Sequence, residues 1–240
     1  MKIFKILRFD PVKDEKPHFQ AYRHSPKPKD TVLETLKDIR DAQDPSLSFR
    51  YSCREAVCGS CGMVINGQIG LACKTQIAAL NTDEIVIEPL PNLEIRKDLF
   101  VDMEPFWEAL RFIQPYLQPD GDTPERGYRI REEDMDKVTT FVTCILCGCC
   151  FSACPVASRD RRYLGPAALA KLYRFVLDPR DNRPYESLKR IDTQAGIWGC
   201  DTVFRCNAVC PKNVRPADGI EGLRRKMVVE KIKRPFRRKR

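Results

Sequence analysis

Cys144-Ile-Leu-Cys147-Gly-Cys149-Cys150-Phe-Ser-Ala-Cys154-Pro155 spaces four of its five cysteines as C-x2-C-x2-C-x3-C-P. Further on, Cys200-Asp-Thr-Val203-Phe-Arg-Cys206-Asn-Ala-Val-Cys210-Pro211 lays onto it position by position, with Val203 where the second cysteine would fall. Closely spaced thiolates on a short loop closed by Cys-Pro are the donor set of a 4Fe–4S cluster. Where two such runs share a domain, the fourth cysteine of each ligates the other cluster. That rule gives one 4Fe–4S centre Cys144, Cys147, Cys150 and Cys210. The other centre receives Cys154, Cys200 and Cys206 only. Valine cannot bind iron, so this second centre is expected to be 3Fe–4S.

Working outward, an earlier block reads C-x4-C-x2-C through Cys53, Cys58 and Cys61, with Cys73 after eleven more residues. This is the plant-type ferredoxin arrangement for a 2Fe–2S cluster. Gly59 and Gly62 are expected to let the backbone approach the cluster sulfides, and Cys73 to close the set from a hairpin. A zinc site is the bland alternative, but zinc favours paired C-x2-C units and the block has one. Eleven of the twelve cysteines are thereby used. Cys149 is left over and reads as a small buried side chain.

The strands and helices follow the same division. Lys2–Phe9 alternates as a half-buried strand does, and Thr31–Glu34 has the capping-box pattern ahead of helically spaced Val32, Leu33, Leu36 and Ile39. Asn66-Gly67 marks a tight hairpin turn after Met63, and Glu84–Glu88 reads as a strand stopped by Pro89 and Pro91. Helical patterns follow over Glu104–Leu117, Glu132–Phe141, Pro166–Leu177 and Pro216–Ile232, with a Gly/Pro/Asp-rich loop at Gln118–Arg126. The expected fold is α+β: a mixed domain over 1–103, a helical domain over 104–230 and a basic tail over 231–240.

Composition narrows the function. Of 240 residues 42% are hydrophobic, or roughly 37% with cysteine set aside, so the core is thin and cofactors are expected to cross-link the loops. No apolar run approaches a membrane span, and the N-terminus lacks a secretory pattern, so the cysteines are expected to be ligands in a reducing compartment. Seven of the nine surplus positive charges lie in the last ten residues. This is a basic tail, suited to a solvated end or an anionic lipid surface, and not the spread charge of a nucleic-acid-binding face. There is no G-x-G-x-x-G, and His18 and His24 lie in a polar stretch where surface positions are expected. The chain reads as an electron wire.

A plant-type 2Fe–2S block, then a 4Fe–4S run, then a three-cysteine run resembles the iron–sulfur subunit of the succinate dehydrogenase/fumarate reductase family. Ser46–Gly62, Arg96–Met103 and Gly165–Ala168 resemble its cluster loop, the exit from its first domain and the helix after its second block. The resemblance implies an N-terminal β-grasp ferredoxin domain followed by an all-α bacterial-ferredoxin-like domain. It implies a flavoprotein partner carrying FAD, and a membrane anchor subunit that holds a quinone and, in many relatives, haem b. It places the chain peripherally at the cytoplasmic face of a prokaryotic inner membrane. Pro155, Asp201 and Arg224 fall where the family lies close to quinone. Ubiquinone-reducing relatives have tryptophan after the Cys-Pro of the second block and histidine after the first cysteine of the third. Here Val156–Arg159 and Asp201 stand instead, which points to a low-potential quinone such as menaquinone. Two rivals are a soluble thiol-linked fumarate reductase and a nucleic-acid enzyme with structural clusters. The first carries a further cysteine-rich region, and none follows Cys210. Only the basic tail suggests the second.

Overall fold

Phe4 and Ile6 are fully buried while Lys5 between them faces outward, so β1 (Lys2–Arg8) lays one apolar edge on a core. The computed structural model describes residues Met1–Arg237. These divide into two units: Met1–Glu104 with Ile145–Ala153, and Pro105–Cys144 with the residues from Cys154 onward. The boundary expected near 103 therefore gains an exception, because the nine residues Ile145–Ala153 around the second cysteine run group with the first unit.

In the first unit β1 is flanked by β2 (His18–His24), and α1 (Val32–Ala42) follows. Next come β3 (Gly62–Ile65), β4 (Gln68–Leu71), β5 (Glu84–Glu88), β6 (Ile95–Lys97) and β7 (Phe100–Val101). The five-stranded sheet runs β2-β1-β5-β3-β4, parallel only between β1 and β5, and β6 and β7 form a separate ribbon. The expected capping box is present: Glu34 N–H donates to Thr31 Oγ1 at 3.3 Å and Thr31 N–H to Glu34 Oε2 at 2.8 Å. Val32, Leu33, Leu36 and Ile39 of α1 are buried, as are Ile85 and Ile87 of β5, each worth about 1.5–3 kcal/mol of burial. Asn66 (φ 48°) and Gly67 (φ 75°) make the expected hairpin turn.

β2 was not evident in the sequence. It is an edge strand whose residues are mostly exposed, so it lacks a buried alternation. His18 is exposed as expected. His24 is not: its side chain is 20% exposed, meets the Phe4 ring edge-on and lies 3.6 Å from Asp38.

Buried at the end of β1 is Arg8, which donates to Asp98 Oδ1 (2.9 Å), Gln20 (3.1 Å) and Ser46 Oγ (2.8 Å), and bonds Asp44 and the Tyr22 hydroxyl. Asp98 in turn accepts from Ser48 N–H at 2.8 Å. The network ties β1 to residues 44–48, the approach to the first cysteine loop.

The second unit is helical. α2 (Glu104–Phe112) stops five residues short of the expected Leu117, since Gln114 takes a positive φ (50°) and Pro115 follows. α3 (Glu132–Val142) comes next, α4 (Cys149–Ser152) belongs to the first unit, and α5 (Pro155–Arg159), α6 (Gly165–Leu177), α7 (Tyr185–Leu188), α8 (Arg205–Ala208) and α9 (Pro216–Arg237) follow. α6 packs on α9 and on α3. A Cβ at Gly222 would lie 2.1 Å from the Tyr173 ring, so this position needs glycine for the two helices to approach. The basic tail is not separate: α9 continues through Arg237, and Lys231 pairs with Asp192 at 2.7 Å. The rest of the expected tail, 238–240, lies outside the described residues. Among the described residues no helix is long and apolar enough to cross a membrane.

Candidate iron–sulfur cluster sites

The loop from Cys53 to Cys61 alternates left-handed residues, Arg54 (φ 61°), Ala56 (φ 55°) and Gly59 (φ 74°), which turn successive amides towards one concavity. Glu55, Val57 and Cys58 N–H all donate to Cys53 Sγ at 3.4, 3.3 and 3.2 Å. Ser60 N–H reaches Cys58 Sγ at 3.5 Å. Cys73, two residues past β4, joins the loop: its Sγ accepts from Ala56 N–H at 3.2 Å, and its own N–H donates to Cys61 Sγ at 3.5 Å. Amides aimed at four sulfurs favour negative charge there, as thiolates bound to iron require. Burial pushes the Cys61 thiol up to about 12, so a buried thiolate at this position needs a metal's positive charge beside it. None of the twelve cysteines is joined in a disulfide. Among the described residues no three His, Cys, Asp or Glu side chains converge as the ligands of a single ion do.

Gly59 and Gly62 also make room for another stretch of the chain. A Cβ on Gly59 would lie 2.8 Å from Ile145 O and 2.9 Å from Cys147 Cα, and one on Gly62 would lie 3.2 Å from Cys147 O and 3.5 Å from Cys149 Sγ. They admit polypeptide: the segment 145–149 packs directly on the first cysteine loop. This close packing is why that segment groups with the first unit. Asn92 holds its far end, donating to Phe151 O (3.2 Å) and Ser152 O (2.9 Å) at the C-terminus of α4. Cys149 is fully buried in this packing.

The pseudo-repeat extends to the backbone. Leu146 (φ 55°) and Gly148 (φ 80°) correspond to Thr202 (φ 54°) and Phe204 (φ 57°). A single helical turn follows each, α4 and α8, with a left-handed residue at its N-terminus and matching closing bonds from Ala153 N–H and Val209 N–H. Phe204 accepts a conformation that costs a β-carbon residue energy. Two different sequences thus fold the same cysteine cradle.

In the second unit Cys154, Cys200 and Cys206 line one cavity of about 320 Å³, part of it open to solvent. Val203 lines it too, half-exposed, where the first run has its second cysteine. Burial, then the neighbouring Cys200 and Cys154, pushes the Cys206 thiol up to about 11. Thr202 N–H donates to Cys200 Sγ at 3.4 Å. Cys144 and Cys210 pack together against Phe141, Ala170 and Val214, and Val214 N–H donates to Cys210 Sγ at 3.3 Å.

Comparison with known proteins places these features. Residues 3–108 match the family described as "2Fe-2S iron-sulfur cluster binding domain", and residues 141–214 match "4Fe-4S dicluster domain". The chain is 38% identical over 218 residues to the fumarate reductase iron-sulfur subunit of Escherichia coli O6:H1, covering 90% of this chain and 89% of that one. It is also 38% identical over 230 residues to the succinate dehydrogenase iron-sulfur subunit of Coxiella burnetii, covering 95% and 97%. The chain belongs to the succinate dehydrogenase/fumarate reductase iron–sulfur subunit family. Both kinds of relative match at one level, so identity does not separate the two directions of reaction. The mitochondrial succinate dehydrogenase [ubiquinone] iron-sulfur subunit 1 of Oryza sativa matches at 38% over 229 residues, covering 93% of this chain and 81% of that one. A chain of the Mycobacterium smegmatis Sdh1 complex in the apo form shares the fold, with a TM-score of 0.87 at 23% identity over 96% of this chain and 97% of that one.

For an iron–sulfur subunit of this family, the three positions expected near quinone have different surroundings. Pro155 opens α5 and, with Asp201, lines the Cys154–Cys200–Cys206 cavity. Asp201 is ion-paired with Arg159. Arg224 is not among the cavity's lining residues. Its guanidinium donates to Cys200 O (2.6 Å), Ile197 O (2.8 Å), Glu221 Oε1 (2.8 Å) and Thr202 Oγ1 (3.1 Å), holding the loop that carries Cys200. A second fastening, not legible in the sequence, lies nearby. Trp198 Nε1–H donates to Asp192 at 2.6 Å, Asp192 pairs with Lys231 of α9, and Lys231 lies 5.7 Å from the Trp198 ring centre. Trp198 and Asp192 are legible only as polar-loop residues until α9 is set beside them.

Proposed function

We propose that this chain relays electrons between the FAD of a flavoprotein subunit and a quinone held by a membrane anchor subunit, in a membrane-bound succinate dehydrogenase or fumarate reductase. The residues that would hold the groups are Cys53, Cys58, Cys61 and Cys73 for 2Fe–2S. They are Cys144, Cys147, Cys150 and Cys210 for 4Fe–4S, and Cys154, Cys200 and Cys206 for 3Fe–4S. When bound, clusters of these types supply one-electron transfer at different potentials. The chain's own part is to present thiolates, aim amides at them and exclude water from the buried ones.

The observation that carries this reading is the cavity shared by Cys154, Cys200 and Cys206, with Val203 at the corner a fourth ligand would fill. Pro155 and Asp201 line it and are proposed to lie close to the quinone, and Arg224 to act on it only through the backbone it holds. Asp201, an anion where ubiquinone-reducing relatives have histidine, favours menaquinone as the partner. The first domain is proposed to span 1–103 and the helical one 104–230, the whole lying peripherally on the cytoplasmic face of an inner membrane.

The test is assembly with the flavoprotein and anchor subunits, followed by succinate oxidation and fumarate reduction with menaquinone and ubiquinone analogues. Turnover that requires this chain and is faster with the menaquinone analogue is expected. Equal quinone turnover by the flavoprotein and anchor without this chain would overturn the proposal.

A further inference from the structure

The side chain of Tyr163 lines the Cys154–Cys200–Cys206 cavity and is 3% exposed. Its hydroxyl is buried and makes no hydrogen bond of full geometry among the described residues, and the Cys200 side chain is the group close enough to act on it as a hydrogen-bond partner. Buried tyrosine hydroxyls ordinarily find one, because an unmet donor keeps its full desolvation cost. The ring is held in place. A Cβ on Gly199, the residue before Cys200, would lie 3.2 Å from Tyr163 Cδ2, and the backbone is fixed on both sides by Tyr163 N–H to Asp160 O (3.1 Å) and Leu164 N–H to Ala195 O (2.8 Å). Thr35, Tyr128 and Ser152 also have buried oxygens without partners among the described residues, but none of these lines the cavity.

We infer that Tyr163 is a positioning residue for the three-iron centre, donating its hydroxyl proton to a sulfur of that centre, either the Cys200 thiolate or a cluster sulfide. The inference rests on the reading of Cys154, Cys200 and Cys206 as the ligands of that centre. A donor to sulfur favours the more negative, reduced state, so it raises the reduction potential. The hydrogen bond leaves the phenol covalently intact, and no proton or electron departs from it.

The experiment is an EPR-monitored redox titration of the assembled complex carrying Tyr163→Phe, which keeps the ring and removes only the donor. The reduction equilibrium of the three-iron centre is expected to weaken roughly tenfold, about 59 mV downward for a one-electron couple. The 2Fe–2S potential in the same sample stays where it was. Replacing Tyr163 by a ring-fluorinated tyrosine, a stronger donor of the same shape, moves the three-iron potential upward, which loss of packing alone cannot do. An unchanged three-iron potential in both variants overturns the inference. A wild-type complex with no three-iron signal overturns instead the ligand reading beneath it.

Discussion

Gly59 and Gly67 offer a matched pair. Both hold a positive φ, 74° and 75°, so alanine at either bears the same left-handed penalty of about 1–2 kcal/mol. Their surroundings differ. A Cβ at Gly67 meets nothing within 4 Å, whereas at Gly59 it meets Cys147 Cβ and Ile145 O, both at 2.8 Å. Two of the three atoms nearest that Cβ, Ile145 O and Cys147 Cα, are backbone and cannot swing aside. Overpacking adds about 1–3 kcal/mol, bringing Gly59→Ala to about 2–5 kcal/mol. At about 2–4 °C per kcal/mol for a chain of this size, Gly59→Ala should melt clearly below Gly67→Ala at one scan rate. Because the displaced residue is Cys147, iron retention at the 4Fe–4S site should fall as well, read from the cluster absorbance after gel filtration. Equal melting and equal iron retention in the two variants would refute the packing of residues 145–147 on the first cysteine loop.

Three further outcomes follow from the same geometry. Val203→Cys supplies the missing corner ligand, so the oxidised three-iron EPR signal should give way to a four-iron centre; persistence of the original signal counts against the ligand crossing. Arg8→Ala strands the buried carboxylate of Asp98 and weakens the bonding of Asp44, costing about 3–5 kcal/mol in thermal or chaotrope unfolding, while a loss under 1 kcal/mol would show the network to be inessential. At Asp44 burial opposes ionisation, but hydrogen bonds from Ser46, Tyr22 and Arg8 outweigh it and hold the carboxyl below its usual range. Its contribution is therefore full above the unfolded value of about 3.9 and is lost as pH falls through the depressed folded value. Asp44→Asn should flatten the acid side of the stability curve measured by circular dichroism.

The cysteine sites were legible because ligand spacing is a local property: three donors on one loop must lie within a few residues of each other, and Cys53–Cys58–Cys61 do. The Thr31–Glu34 capping box and the Asn66-Gly67 turn were legible for the same reason. What escaped the sequence depends on partners far along the chain. Gly59 reads as a loop glycine until Cys147 is placed on it. Arg8 reads as the polar end of a strand until Asp98, ninety residues away, is beside it. β2 escaped because an edge strand with one buried residue, Tyr22, leaves no period to read. Residues 231–237 looked like a solvated tail because their charge is plain, whereas the Lys231–Asp192 pair that fastens α9 is not. Tyr163 escaped because nothing in Arg-Arg-Tyr-Leu-Gly marks which way its hydroxyl faces.

We propose that three clusters of different size occupy this one chain. Low-temperature EPR of the assembled complex, with iron and zinc analysis of the same sample, tests it most directly. The expected result is an oxidised-state three-iron signal, a reduced 2Fe–2S signal and about nine iron atoms per chain. Zinc in place of iron, or full iron with no three-iron signal in any oxidation state, would contradict it.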